Sequence, residues 1–225
     1  MKGILFDIDG TLLKSYGGLG RIPFEISIEK VTGKKINLSK VDWLGRTDLD
    51  VIWNVLLENN FKEEYIKNFI PLIFEEYINN FKIFSYKNID KFELIPNVKN
   101  LLELIKEKPI GLLTGNLKET AHIKLEILGI NNYFPFGIGG YGDEDRDRSK
   151  LVLYAINRMK NYYKNIDDFI IIGDSFRDIL CAKKNKIKIL AVATGKNSYD
   201  ELKKYNPDFL EKDFSDLKKI INYFE

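Results

Sequence analysis

Residues 5–13 read LFDIDGTLL, and this stretch decides the architecture. It closes an apolar run, Gly3-Ile4-Leu5-Phe6, that stops at Asp7; Asp9 follows after one apolar residue, then Gly10 and Thr11, and the chain turns apolar again. A short apolar run bounded by polar residues is the pattern of a strand buried on both faces. Two acids at the mouth of such a strand need a chemical reason, because carboxylates packed together repel unless a cation balances them.

The same pattern recurs at residues 110–113, 169–172 and 189–192, with amphipathic helical patterns between. Strands alternating with helices predict an α/β fold with a parallel sheet and right-handed crossovers. Helices are expected over 97–106, opened by Pro96, and from Leu117 to before Gly129, where Ala121, Leu125 and Leu128 share a face. Two more are expected over 150–160 and from near Asp178. Residues 15–90 differ. They show no clear strand and read as helical over 25–32, 48–59 and 63–81, between Tyr16-Gly17-Gly18-Leu19-Gly20 and Ser85-Tyr86-Lys87-Asn88. The expectation is a core of residues 1–14 and 91–225 with a helical insertion, 15–90, entered and left through flexible hinges.

Composition narrows the class. Of 225 residues, 44% are hydrophobic and 30% charged, as in an ordinary soluble globular protein. Thirty-five basic residues against thirty-three acidic ones leave +2, which gives no electrostatic footprint for nucleic acid. The one cysteine, Cys181, excludes an internal disulfide. Met1-Lys2-Gly3-Ile4 runs straight into the first strand and leaves no room for a signal peptide. No apolar run approaches the roughly 18 residues of a membrane span. These features predict a cytoplasmic protein; a monomer and a homodimer are both compatible with them.

Each polar cluster of interest follows a predicted strand, where open α/β sheets bind ligands. Asp7 and Asp9 follow the first, Thr114-Gly115-Asn116 the second, and Gly173-Asp174-Ser175 the third, with Asp178 four residues beyond Asp174. If these strands are parallel neighbours, at least three carboxylates converge, and hard oxygen ligands suit Mg²⁺. A carboxylate there can be a nucleophile toward phosphorus. A second carboxyl can protonate the leaving oxygen and then activate water. Thr114 and neighbouring backbone N–H groups can hold phosphate oxygens, and a cationic side chain should complete the balance.

Three motifs carry a family resemblance. Asp7-Ile8-Asp9-Gly10-Thr11-Leu12 resembles the first motif of the haloacid dehalogenase superfamily, Leu112-Leu113-Thr114-Gly115-Asn116 its second, and Ile172-Gly173-Asp174-Ser175-Phe176-Arg177-Asp178 its fourth. Their details look closest to the phosphoglycolate-phosphatase-like branch. The resemblance covers nearly the whole chain and implies a Rossmann-like core with an α-helical cap inserted after the first motif. It also implies a Mg²⁺-dependent phosphatase acting on a small phosphorylated metabolite through an aspartyl-phosphate. Asp7 would be nucleophile and metal ligand. Asp9 would be general acid/base, its carbonyl also touching the metal. Thr114, with Gly115 and Asn116, would bind the phosphoryl group; Asp174 would bind the metal, and Asp178 would support it through water, a lysine or an arginine. True dehalogenases of the superfamily lack an acid two residues after the nucleophile, so Asp9 favours phosphate chemistry. A sugar phosphomutase of the same superfamily is the nearest alternative, and a catalytically idle binding protein is the alternative of another class.

The third motif departs from the pattern. Its usual lysine followed by prolines is replaced by Asp145-Arg146-Asp147-Arg148-Ser149-Lys150-Leu151-Val152. The Arg-x-x-Leu-Val setting favours Arg148 for the cation, with Arg146 and Lys150 remaining open. Within the insertion, Leu44-Gly45-Arg46-Thr47-Asp48 is either a helix-capping turn or a loop that brings Arg46 or Thr47 to the substrate's leaving group. Gly17-Gly18-x-Gly20 reads as a hinge and Gly139-Gly140-x-Gly142 as a loop. His122, the only histidine, and Cys181 read as packing residues.

Overall fold

The computed structural model describes residues 1–225. In chain order the elements are β1 (Lys2–Phe6), β2 (Leu13–Ser15), α1 (Arg21–Thr32), α2 (Asp48–Glu58), α3 (Glu63–Tyr86), β3 (Phe92–Leu94), α4 (Val98–Leu104), β4 (Ile110–Leu113) and α5 (Lys118–Ile127). There follow β5 (Gly139–Gly140), α6 (Arg148–Tyr162), β6 (Asp168–Gly173), α7 (Phe176–Lys184), β7 (Lys188–Val192), α8 (Tyr199–Lys203), β8 (Phe209–Glu211) and α9 (Leu217–Asn222). Six strands form one sheet in the order β5-β4-β1-β6-β7-β8, every pair parallel.

The four apolar runs form the centre of this sheet, and side-chain alternation divides its two faces. Ile4, Phe6, Leu112, Ile170, Ile172, Leu190 and Val192 join one apolar cluster with α4, α5 and α9. Leu5, Leu113, Ile171, Ile189 and Ala191 join the other, against α6, α7 and α8. Helices therefore cover both faces, as a parallel sheet requires.

Two strands of this sheet escape the sequence reading because they carry little side-chain signal. β5, expected as a loop, is a pair of glycines that aligns Gly139 with Leu112 and Gly140 with Leu113. β8 is three residues long at the opposite edge.

Helices α1–α3 lie in the chain between β2 and β3, which pair antiparallel, Leu13 with Leu94 and Ser15 with Phe92. The two crossings of the insertion are thus tied side by side. α1 begins four residues before its expected start, with Pro23 inside its first turns. α3 runs through Ser85 and Tyr86, which were expected in a hinge, so its exit follows Tyr86. Phe24, Ile28, Val51, Ile52 and Phe81 of these helices join the same apolar cluster as the first sheet face. No helix is long and apolar enough to cross a membrane.

Candidate active site

Sheet order explains why the acids meet. β1 lies between β4 and β6, with Phe6 level with both Leu112 and Ile172. The residues just past these strands, Asp7, Thr114 and Asp174, consequently emerge at three neighbouring carboxyl ends. Asp7 stays in the ladder, its N–H donating to the Ile172 carbonyl at 2.9 Å.

Asp7, Asp174 and Asp178 are all buried, and each offers a carboxylate oxygen within 4.8 Å of the others. Asp178 sits in the first turn of α7 and closes a capping box with Ser175: its Oδ2 accepts from Ser175 N–H (3.1 Å) and Oγ–H (2.6 Å). Its Oδ1 accepts from Arg148 Nη2 at 2.6 Å, and the same nitrogen donates to Asp7 Oδ1 at 2.8 Å and to the Leu113 carbonyl at 3.2 Å. Asp178 thus caps α7 with one oxygen and pairs with the buried guanidinium of Arg148 with the other. Of the three cations in 145–152, only Arg148 enters this cluster. Arg146 lies over the Trp53 ring and reaches Asp50, and Lys150 pairs with Asp145 in the open.

Electrostatics follow from burial. Desolvation raises the Asp7 carboxyl above its ordinary value, against Arg148, with Asp178 adding repulsion. Desolvation raises Asp174 as well, reinforced by Asp7 and Asp178. Burial disfavours the Arg148 charge, but Asp178 and Asp7 outweigh it and hold the guanidinium firmly protonated. Three carboxylates facing one guanidinium are short of positive charge.

Above the cluster opens a cavity of about 530 Å³, lined by Asp7, Asp9, Thr114, Arg148 and Asp174 from the strand ends and by Trp43, Arg46 and Tyr77 from the insertion. The insertion is bonded to the strand-end loops: Asp48 N–H donates to the Gly115 carbonyl (2.8 Å) and Leu49 N–H to the Gly142 carbonyl (2.9 Å). Gly115 permits this approach, since a Cβ there would overlap the Arg46 carbonyl oxygen.

The family model for Haloacid dehalogenase-like hydrolase matches residues 4–192. The chain belongs to that family. It is 24% identical to a phosphoglycolate phosphatase of Aquifex aeolicus, over 99% of this chain and 97% of that protein. It is 23% identical to a pyrophosphatase PpaX of Oceanobacillus iheyensis, over 98% of this chain and 97% of that one. The fold is shared with the crystal structure of a predicted phosphatase from Clostridium acetobutylicum, with a TM-score of 0.69 at 24% identity over 98% of each chain.

The donor set of this hydrolase fits a hard divalent cation. It consists of carboxylate oxygens alone, and it is under-neutralised. Asp174 is also cradled: a Cβ on Gly10, whose φ is +89°, or on Gly195 would overlap its carboxylate. Only glycine lets both loops close on that group. Thr11 Oγ1 donates to Asp174 Oδ1 at 3.4 Å. Asp7, Asp174 and Asp178 would hold the ion.

Asp9 stands outside this cluster. Its Oδ1 and Oδ2 accept from Lys124 Nζ at 2.8 and 2.6 Å, and Oδ2 accepts from Asn116 Nδ2 at 2.7 Å. Asn116 Nδ2 also donates to Thr114 Oγ1 at 2.7 Å, so the second motif and Asp9 form one network. In the insertion turn, Thr47 N-caps α2, accepting from Asp50 N–H at 3.1 Å, and its hydroxyl donates to the Arg146 carbonyl. Arg46 lines the cavity while its Nε holds Asp50 at 2.8 Å. His122 packs between Phe136 and Tyr141, and Cys181 is buried, its thiol pushed up to about 12 by desolvation.

Two residues escaped the sequence reading. Lys124 is a buried lysine on α5, one position before Leu125 on the core-facing stripe. A lysine on such a stripe was the available signal. Asp48, expected only to start a helix, is buried where insertion meets core; it accepts from Leu117 N–H at 3.0 Å, and burial pushes its carboxyl up to about 7, against the attraction of Lys124.

Proposed function

We propose that this hydrolase is a Mg²⁺-dependent phosphatase that cleaves a small phosphomonoester through an aspartyl-phosphate on Asp7. The observation that supports the reading is that two carboxylates two residues apart lie in different surroundings. Asp7 is buried among Asp174, Asp178 and Arg148, whereas Asp9, two residues on, faces the cavity outside that cluster. The relatives' names, phosphoglycolate phosphatase and pyrophosphatase, describe small phosphorylated anions.

Arg148 takes Asp7 Oδ1 and so turns Oδ2 toward the substrate. Oδ2 attacks phosphorus; a new Asp7 O–P bond forms as the P–O bond to the leaving group breaks, and the leaving oxygen takes a proton from Asp9. Water then gives a proton to Asp9 as it attacks the same phosphorus, which frees Asp7 and inorganic phosphate. The Thr114 hydroxyl, whose oxygen accepts from the Asn116 N–H and Nδ2, donates to a phosphoryl oxygen together with the Gly115 N–H. Bound among Asp7, Asp174 and Asp178, Mg²⁺ supplies the positive charge that offsets repulsion between an anionic nucleophile and an anionic phosphate. The insertion acts as a cap, residues 15–90, that excludes water when seated.

The test is phosphate release from p-nitrophenyl phosphate and a metabolite panel, with Mg²⁺ or EDTA. Asp7→Asn and EDTA are each expected to lower turnover by at least about 10³-fold. Turnover that survives Asp7→Asn removes the aspartyl-phosphate. Sugar-phosphate isomerisation without phosphate release assigns a phosphomutase instead.

A further inference from the structure

We infer that Lys124 is the positioning residue for Asp9: it fixes the proton-carrying carboxylate on the cavity side, away from the acid cluster. The inference rests on the role proposed for Asp9. Lys124 Nζ donates to both Asp9 oxygens and to Asn116 Oδ1, at 2.8, 2.6 and 2.7 Å. Asn116 closes the ring by donating to Asp9 Oδ2 and to Thr114 Oγ1. Three acceptors thus saturate the three donors of an ammonium.

The two ends of this ion pair differ in a way that gives it direction. The Lys124 side chain is 6% exposed, and that of Asp9 is 41% exposed. Lys124 is anchored within the body of the protein, on α5, and Phe81 of α3 covers its ammonium, Nζ lying 5.9 Å from the ring centroid. An ammonium held off water binds its acceptors more strongly than a solvated one. Asp9, by contrast, lies on a loop past β1 and faces an open cavity. Without Lys124, one amide donor would remain to hold it, and water would compete for both oxygens. An Asp9 free to rotate toward the divalent-cation cluster would be a fourth ligand there and no longer a proton carrier. Because Phe81 belongs to the insertion, the clamp is complete only with that helix seated on the core.

A positioning role predicts a loss in kcat that runs through Asp9 alone. With p-nitrophenyl phosphate and Mg²⁺, Lys124→Met should lower kcat roughly 30-fold and move KM by less than about threefold. Lys124→Arg, which keeps the charge and can donate to both Asp9 oxygens through its fork, should recover kcat to within about fivefold of wild type. The decisive sample is the double variant. Asp9→Asn/Lys124→Met should be no slower than Asp9→Asn, because the lysine has nothing left to position. A wild-type kcat in Lys124→Met overturns the inference. So does a double variant whose losses multiply, or a raised KM at unchanged kcat, which would make Lys124 a substrate-binding group. If Lys124→Met fails to fold by circular dichroism, Lys124→Gln runs the same cycle. Asp7→Asn in the same assay separates the two ideas. Turnover surviving it removes the aspartyl-phosphate alone, whereas a dead Asp7→Asn beside multiplying losses removes the positioning role alone.

Discussion

The floor of the cavity and its mouth carry opposite charge and are built in opposite ways. At the floor, Asp7, Asp174 and Asp178 face a single buried guanidinium, every group held by strand ends, a helix cap or a glycine cradle. At the mouth stand Lys14, Arg21, Arg46 and Lys196. Arg21 is tied to Glu25 and Arg46 to Asp50, whereas Lys14 and Lys196 are exposed and make no ion pair. The floor holds fixed charge in a dry place, where each interaction counts heavily, and the mouth presents mobile charge in water, where each counts little. The proposed division of labour follows: the floor does the bond-making, and the mouth attracts and sorts anions.

The hardest blow to the floor is loss of its one cation. Arg148→Met leaves three buried carboxylates uncompensated, and removing one partner from a buried ion pair costs roughly 3 kcal/mol, or about 6–12 °C in Tm for a chain of this size. Turnover should fall by at least about 10²-fold, because Asp7 loses its orienting donor. The drop in Tm should be larger in EDTA than in Mg²⁺, since a bound divalent cation would take over the neutralisation. Equal drops in both, read by differential scanning fluorimetry, would show that the cluster takes no cation.

Asp48 tests the seam between the two regions. Burial pushes its carboxyl from an ordinary 3.8 up to about 7, against the attraction of Lys124 and of the Leu117 N–H that it accepts from. A raised value means that the folded state prefers the protonated form. The stability tied to it is present below about pH 4 and is lost as pH rises toward about 7. Asp48→Asn keeps an acceptor for Leu117 and removes the ionisation. Relative to wild type it should gain stability across that window, on the order of 2–4 kcal/mol by pH 7.5. Urea unfolding at pH 4.5, 6 and 7.5 measures the difference; a constant offset at all three would mean that Asp48 is solvated as the insertion moves.

What was legible in the chain divides along the same line. The central strands could be read because a strand covered on both faces must be apolar throughout, and its polar successors then mark the strand end. Asp7, Thr114 and Asp174 were found together for that reason. β5 could not be read, because Gly139 and Gly140 pair through backbone alone and display no side-chain pattern. Lys124 was hidden because helical spacing ranks apolar residues, and a lysine on the core-facing stripe is seen as an interruption until its partner 115 residues away, Asp9, is in place. Asp48 read as a helix start because its partner, the Leu117 N–H, belongs to a different element. Long-range polar partners are what a local pattern cannot carry.

The smallest effect belongs to the mouth. Lys14→Ala and Lys196→Ala should each raise KM for p-nitrophenyl phosphate by about threefold to fivefold and leave kcat within about twofold, the mark of binding shared equally by ground and transition states. Both lysines are solvated, so the Debye length decides how far they reach. Raising ionic strength from about 0.01 to 0.15 M shortens it from roughly 30 to 8 Å, and wild-type KM should rise toward that of the variants. The floor, shut away from solvent, should show no matching loss in kcat. A KM that ignores both substitutions and salt would leave substrate choice to Trp43, Tyr77 and the fixed pair of Arg46 with Asp50, and the mouth would then discriminate by shape rather than by charge.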